Sequence, residues 1–282
     1  MSNEEQIAYW NGDAGKKWAD LDAQMSRLLA PIAEMLMDHA QVDGALRALD
    51  VGCGGGSESF ALLRRLGGDA RVLGVDISAP MLAVAEAHRA EQGLDNVAFL
   101  QADASTHDFG DQTFDLLFSR FGVMFFDDPS AAFGHLRGAM APSARLAFTC
   151  WQPLTANPWV AVALQAALTV LPPPAPPPPR SPGPFAFGEA DYVTEVLQNA
   201  GWSDINVQAK NVDMRWPDSG GYSHTVRELV KMGPVGRLLA DVDDATREAV
   251  YVAVEGALGD YYNGECLSLP GAIWMVTATN EV

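Results

Sequence analysis

The glycine-rich turn at residues 52–56 constrains the fold of this chain more than any other feature. It follows a strand-like run that ends in an acidic residue, within the sequence Leu49-Asp50-Val51-Gly52-Cys53-Gly54-Gly55-Gly56. Glycine permits positive φ and lets the backbone approach a ligand closely. A helix is predicted directly after the turn, over Ser57–Leu66. A strand, a tight turn and a helix in this order open a βαβ unit, which places a ligand at the turn.

Short β-branched runs alternate with longer helical ones up to about Trp151, as in a parallel sheet. We predict strands at Arg47–Val51, Arg71–Asp76, Val97–Gln101, Phe114–Phe118 and Ala144–Cys150, and later at Ile205–Val212 and Ala272–Thr279. Further helices are predicted at Pro80–Gln92 and Glu189–Ala200. The fold class is therefore α/β, a Rossmann-like and mostly parallel twisted sheet with helices on both faces. An amphipathic segment from about Trp216 to Gly264 interrupts the sheet and predicts an inserted helical cap.

Three parts of the chain are expected. Residues 1–44 form an N-terminal helical segment with an apolar stripe at helical spacing. The stripe comprises Ile7, Tyr9, Trp10, Trp18, Leu21, Met25, Leu28 and Leu29. This segment either packs on the sheet edge or forms a lid over a ligand. Residues 45–212 and 265–282 form the ligand-binding domain, which includes a proline-rich loop at 152–187, and residues 213–264 form the cap.

Composition narrows the class of partner. Lys and Arg total 18 against 36 Asp and Glu, a net charge of -18 that repels a phosphate backbone or an anionic bilayer. We therefore expect a small-molecule partner and no nucleic acid. The sequence is compatible with a homodimer. Cys53, Cys150 and Cys266 lack disulfide or zinc-ligand spacing, so a cytoplasmic location without a metal is expected. The polar, acidic start predicts no signal peptide. The longest apolar run, Trp159–Leu171, is shorter than the ~20 residues of a membrane span, so we predict a buried helix there.

The spacing of the turn separates two kinds of ligand. A dinucleotide fingerprint requires its third glycine three residues after the second, where this chain has Ser57. Asp50 before the turn would also repel a pyrophosphate, but it suits a ligand with a cationic amino-acid end. Asp76 ends the second predicted strand and can accept both hydroxyls of a ribose. Asp103 follows the third strand, where its carboxylate can accept from the exocyclic amine of adenine.

At these residues the chain resembles the class I S-adenosylmethionine-dependent methyltransferases, especially the ubiquinone and menaquinone biosynthesis branch. The matching motifs are Leu49–Gly56, Val75-Asp76-Ile77-Ser78 with Met81-Leu82, Asp103-Ala104, Phe114-Asp115 and Ser119–Phe126. The resemblance implies S-adenosylmethionine as cofactor and S-adenosylhomocysteine as product. The cofactor-binding residues that we expect are Asp50, Gly52, Gly54, Gly56, Asp76, Ile77, Met81, Asp103, Ala104, Arg120 and Trp18. The sequence departs from the family at Ala141-Pro142-Ser143-Ala144, where a Pro-Gly-Gly turn is usual.

Methyl transfer from a sulfonium is an in-line displacement, which chiefly requires orientation of the acceptor. Orientation can supply ~7–11 kcal/mol, whereas a general base supplies ~10²–10⁴-fold. If a base acts, the candidates are His224 and Tyr222 in the predicted cap. An apolar or aromatic acceptor would contact aromatic and sulfur-containing side chains, which we expect to be Trp10, Phe121, Met124, Trp151 and Trp159.

Other functions compete with methyl transfer. A lyase or cyclase can retain the fold and use S-adenosylmethionine as a structural cation without methylating. A dehydrogenase is disfavoured because Ser57 breaks its glycine fingerprint, and a pure binding module is disfavoured because a cap predicts a closed, water-excluding site.

Overall fold

The glycine-rich turn follows the first of seven strands that form one sheet. The strands are β1 (Arg47–Val51), β2 (Arg71–Asp76), β3 (Val97–Gln101), β4 (Phe114–Arg120), β5 (Met140–Trp151), β6 (Ser203–Pro217) and β7 (Cys266–Thr279). Their order is β3-β2-β1-β4-β5-β7-β6. Strands β1 to β5 pair in parallel. Strand β7 runs antiparallel to β5, since Asn280 N–H donates to Ala144 and Gln152 N–H donates to Ala272. The predicted mostly parallel sheet is confirmed.

The computed structural model describes residues 3–42, 44, 46–218 and 220–281. The chain divides into two units, of which the first comprises Met1–Trp151, Pro179–Ala209 and Trp274–Val282. The helices of this unit are α1 (Asn3–Asn11), α2 (Asp13–Asp20), α3 (Asp22–Ala40), α4 (Ser57–Leu66), α5 (Ala79–Gln92), α6 (Pro129–Gly138) and α8 (Ala190–Asn199). The second unit comprises Gln152–Pro178 and Lys210–Ile273. Its helices are α7 (Pro158–Ala167), α9 (Tyr222–Met232), α10 (Pro234–Leu238) and α11 (Asp244–Leu258).

The core of the first unit explains why the middle of β4, at Leu116, Leu117 and Phe118, is apolar. Residues 116–119 are all buried, so both faces of β4 are covered. Leu116 and Phe118 pack with Leu36 of α3 and Phe60 of α4 in one apolar cluster. This packing fixes the carboxyl ends of β1 and β4 side by side, where the loops that follow them meet.

The second unit confirms one sequence-based expectation and corrects another. The buried helix predicted in the apolar run Trp159–Leu171 is present as α7, within the proline-rich segment 152–187, and Pro158 lies in its first turn, where the missing N–H costs nothing. The segment from Trp216, expected to be helical, begins as the end of β6. Val212, Met214 and Trp216 are buried while the residues between them are exposed, which is the period of a strand. Helix α7 packs against α11. Across the described helices, none is long and apolar enough to cross a membrane.

Candidate functional site

The glycine-rich turn has the backbone that only glycine adopts readily. Gly52, Gly54 and Gly56 have φ of 70°, 52° and 82°. A Cβ on Gly56 would lie 2.7 Å from the ring of Phe99. A Cβ on Gly52 would lie 2.7 Å from Cα of Gly122, in the loop after β4. The turn is therefore fixed by both backbone conformation and close packing at the carboxyl edge of the sheet.

The loop after β4 is held against the turn by a buried serine and carries an aromatic stack. Ser119 Oγ donates to the carbonyl of Val51 at 2.7 Å and accepts from Gly122 N at 3.2 Å. Phe121 has φ of 66°, an uncommon conformation for a residue with a side chain. Its ring stacks on Trp151 with centroids 4.4 Å apart and planes 6° apart. Phe121 and Trp151 thus form a parallel aromatic stack at the ends of β4 and β5.

Asp50 lies at the end of β1 and is 1% exposed. Its carboxylate accepts from Ser59 Oγ at 2.6 Å. Burial raises the pKa of Asp50 to about 7, and repulsion by Glu58 and Asp76 adds to this while Ser59 and Arg120 oppose it. Part of the population therefore carries a neutral carboxyl group near neutral pH.

Asp76 at the end of β2 is a structural part of the same turn. One carboxylate oxygen accepts from Gly54 N at 2.8 Å and the other from Ser78 N at 2.8 Å. Burial raises the pKa of Asp76 although these hydrogen bonds oppose the shift. Each carboxylate oxygen has two lone pairs, so both can still accept a hydroxyl.

Asp103 after β3 already has four donors. Its carboxylate accepts from Ser105 N and Oγ, from Thr106 Oγ1 and from Asn3 Nδ2 of α1. Burial raises the pKa of Asp103, but these hydrogen bonds outweigh burial and the pKa lies below its ordinary value. Asn3 is the one donor of the four that lies far from Asp103 in sequence, in the N-terminal helix.

Arg120 ends β4 and forms an ion pair with Glu58 of α4. The side chains are 12% and 8% exposed. Among the described residues, Nε of Arg120 has no hydrogen-bond acceptor. A buried guanidinium N–H without an acceptor is costly, and an incoming carboxylate would satisfy it. The sequence identified Arg120 but not Glu58, whose position in the first turn of α4 was the available signal.

Asp22 of α3 is a second residue that the sequence analysis missed. It is 7% exposed, and a Cβ on Gly55 would lie 2.0 Å from its Oδ1. Burial raises the pKa of Asp22, while His88 and Arg120 act in the opposite direction. The carboxylate therefore lies directly against the glycine-rich turn.

The N-terminal helices are attached to the β2–α5 connection. Asn11 donates to the carbonyl of Ile77 at 2.8 Å and accepts from Ala79 N at 3.0 Å. Ser78 Oγ donates to the carbonyl of Trp10 at 2.8 Å. These bonds hold α1 at the carboxyl end of β2.

Other predicted residues of the first unit lie around this edge. The ring of Trp10 contacts Trp18 at 6.3 Å and Phe125 at 5.4 Å between centroids. The terminal methyl of Met81 faces Gly54, 3.1 Å from where its Cβ would be. Ala104 and Met124 are buried. Ile7, expected in the apolar stripe, is 39% exposed, because α1 turns Gln6 inward instead.

Three predicted residues lie in the second unit. Trp159 is buried and packs against Trp216, with its indole N–H donating to Asn157 at 3.2 Å. The hydroxyl of Tyr222 donates to the carbonyl of Glu255 in α11. His224 is exposed on α9.

Comparison with known proteins gives one family. Residues 48–143 match the family described as a methyltransferase domain. Nocamycin O-methyltransferase of Saccharothrix syringae is 26% identical over 206 residues, 70% of this chain and 74% of that protein. Demethylmenaquinone methyltransferase of Thermus thermophilus is 38% identical over 127 residues, 43% of this chain and 57% of that protein. The chain thus spans about three quarters of the first relative and little more than half of the second.

Solved structures share the fold. The YcgJ protein of Bacillus subtilis superposes with a TM-score of 0.58 at 16% identity, covering 89% of this chain and 98% of that protein. At this identity the likeness concerns the fold alone.

Proposed function

We propose that this chain, in which residues 48–143 match a methyltransferase domain, transfers a methyl group from S-adenosylmethionine to a small, apolar or aromatic acceptor. The observation that carries this proposal is the group of three acidic side chains at the glycine-rich turn. Asp22, Asp50 and Asp76 lie at or against this turn. Such a site favours a cation and disfavours the phosphates of a dinucleotide.

The chemistry of the site fits this cofactor. When bound, S-adenosylmethionine supplies a methyl group on a positively charged sulfur. We propose that Asp22 accepts from the amino group of its methionyl end and that Arg120 Nε donates to the carboxylate. Asp76 would accept from the ribose hydroxyls with its free lone pairs, and Asp103 with Ala104 would contact the adenine. The glycine-rich turn leaves room for the backbone to approach the methionyl end.

The aromatic side chains orient the acceptor in this proposal. Phe121 and Trp151 form a parallel aromatic stack at the ends of β4 and β5. Aromatic faces attract a cation by about 0.5–2 kcal/mol per good contact and also pack on apolar rings. Trp10 and Trp18 would serve the same purpose from the N-terminal helices. Orientation of the acceptor can lower the reaction barrier by more than a general base does. An in-line displacement chiefly requires such orientation, so this reaction fits the proposed site.

Of the two candidate bases, we favour His224. The hydroxyl of Tyr222 already donates to the carbonyl of Glu255, so its proton is engaged in a hydrogen bond between α9 and α11.

The names of the two relatives refer to nocamycin and demethylmenaquinone, which supports an organic acceptor for this chain. Three buried free cysteines support a cytoplasmic location, and the net charge of -18 argues against nucleic acid.

Labelled cofactor tests the proposal. The protein is incubated with methyl-labelled S-adenosylmethionine and a panel of phenols, quinols and amines, and product is separated from cofactor. Transfer to at least one acceptor, lost when Trp151 is replaced by Ala, is expected. Tight cofactor binding with transfer to none would favour a lyase or cyclase that retains the fold.

A further inference from the structure

Gln6 is the one buried residue of helix α1, where an apolar residue would be expected. It is 1% exposed. Neither Nε2 nor Oε1 of Gln6 has a hydrogen-bond partner among the described residues. Leaving both ends of a buried amide unpaired is expensive, so such groups in proteins usually have a partner. Helix α1 therefore carries an amide that lacks the partner its burial demands.

The position of Gln6 on α1 identifies the place that its amide faces. Asn3, Gln6 and Trp10 are three and four residues apart, so they share one face of the helix. Asn3 at one end of this face donates to Asp103 after β3. Trp10 at the other end contacts Phe125 after β4, and its carbonyl accepts from Ser78 after β2. The amide of Gln6 thus lies between these contacts, over the carboxyl ends of the central strands.

We propose that Gln6 binds the adenine of the cofactor, with its amide pairing with the base edge that carries the exocyclic amine. An amide offers one acceptor and two donors side by side, and a Gln side chain pairs with an adenine edge through two hydrogen bonds. This inference depends on the proposed cofactor. It adds a specificity-determining residue from a helix that the known motifs of the chain do not include.

The test compares two ligands and three forms of the full-length protein by calorimetry. The ligands are S-adenosylhomocysteine and its analogue with unsubstituted purine, which lacks the exocyclic amine. The proteins are wild type, Gln6→Met, and Gln92→Met as a control, since Gln92 is exposed at the end of α5. Thermal unfolding of each protein without ligand is measured in parallel.

Opposite effects on binding and on stability are expected for Gln6→Met. The Kd for S-adenosylhomocysteine should rise by about 10-fold or more, and the preference for adenine over purine should shrink by at least about 5-fold. Without ligand, Tm should rise by about 2–4 °C, because two unpaired buried polar atoms are removed. Gln92→Met should match wild type in every measurement.

Two results would overturn the inference. Gln6→Met could leave the affinity and the base preference at wild-type values, or it could lower Tm and weaken both ligands equally, as a packing residue would. Failure of wild type to bind S-adenosylhomocysteine is a different outcome, because it removes the proposed function together with this inference.

Discussion

Replacement of Asp50 by Asn should stabilise the protein at alkaline pH and leave it unchanged in acid. The side chain is 1% exposed, so its charge is almost fully desolvated when it ionises. Asn has the same shape and can still accept from Ser59 through Oδ1. The substitution therefore removes the charge while keeping the packing and the hydrogen bond.

The size of the effect follows from the pKa shift of Asp50, from 3.8 to about 7. Below pH 3.8 the carboxyl is protonated in both states and contributes nothing. Between pH 3.8 and 7 the unfolded chain loses its proton first, so stability falls as the pH rises. A pKa shift of about three units, at about 1.4 kcal/mol per unit, means that ionisation of Asp50 lowers the free energy of unfolding by at most about 4 kcal/mol above pH 7.

Urea unfolding at pH 4 and pH 8 measures this difference. Asp50→Asn should match wild type at pH 4 and exceed it by about 2–4 kcal/mol at pH 8, with an unchanged m value. Asp111→Asn, in an exposed turn, should show no such gain. Equal destabilisation of Asp50→Asn at both pH values would refute the reasoning, because the carboxylate would then be a net stabilising group.

Two further substitutions test the packing and charge of the site, each by urea unfolding against a matched control. Gly56→Ala forces a Cβ to 2.7 Å from Phe99 at φ 82° and should cost about 2–4 kcal/mol, whereas Gly138→Ala, with open space around it, should be neutral or slightly stabilising. Glu58→Gln removes the ion-pair partner of the buried Arg120 and should cost about 3–5 kcal/mol, whereas Glu248→Gln, in an exposed pair, should cost less than about 1 kcal/mol. If a site variant and its control lost similar amounts of unfolding free energy, the result would contradict the structure.

The strands that build the site were predictable because their signals are local. Strands β1, β2 and β3 have the predicted bounds, since each is a short apolar run closed by turn residues. Strand β6 extends further than predicted, to Pro217, although Val212, Met214 and Trp216 alternate with polar residues in the sequence, which is the pattern of a strand. The helical segment was therefore predicted to begin too early, at about Trp216, whereas α9 begins at Tyr222.

The charged and polar partners of the site were not predictable for a different reason. Asp22 and Gln6 reach the site through the tertiary placement of α3 and α1, and no spacing in the sequence links them to the glycine-rich turn. Gln6 stands four residues before Trp10, so helical periodicity would place both side chains on one face. Because Ile7 is apolar and Gln6 is polar, the sequence analysis predicted Ile7 to be the buried residue. The unpaired amide of Gln6 could therefore be recognised only after the structure showed that this side chain is buried.

Calorimetry of the purified protein with S-adenosylhomocysteine is the most direct measurement of whether the glycine-rich turn wraps an amino-acid-bearing nucleoside. Saturable binding in a one-to-one ratio, well below millimolar concentration and without binding of NADH, is expected. Absence of binding up to millimolar S-adenosylhomocysteine, or saturation by NADH instead, would contradict the assignment of this site.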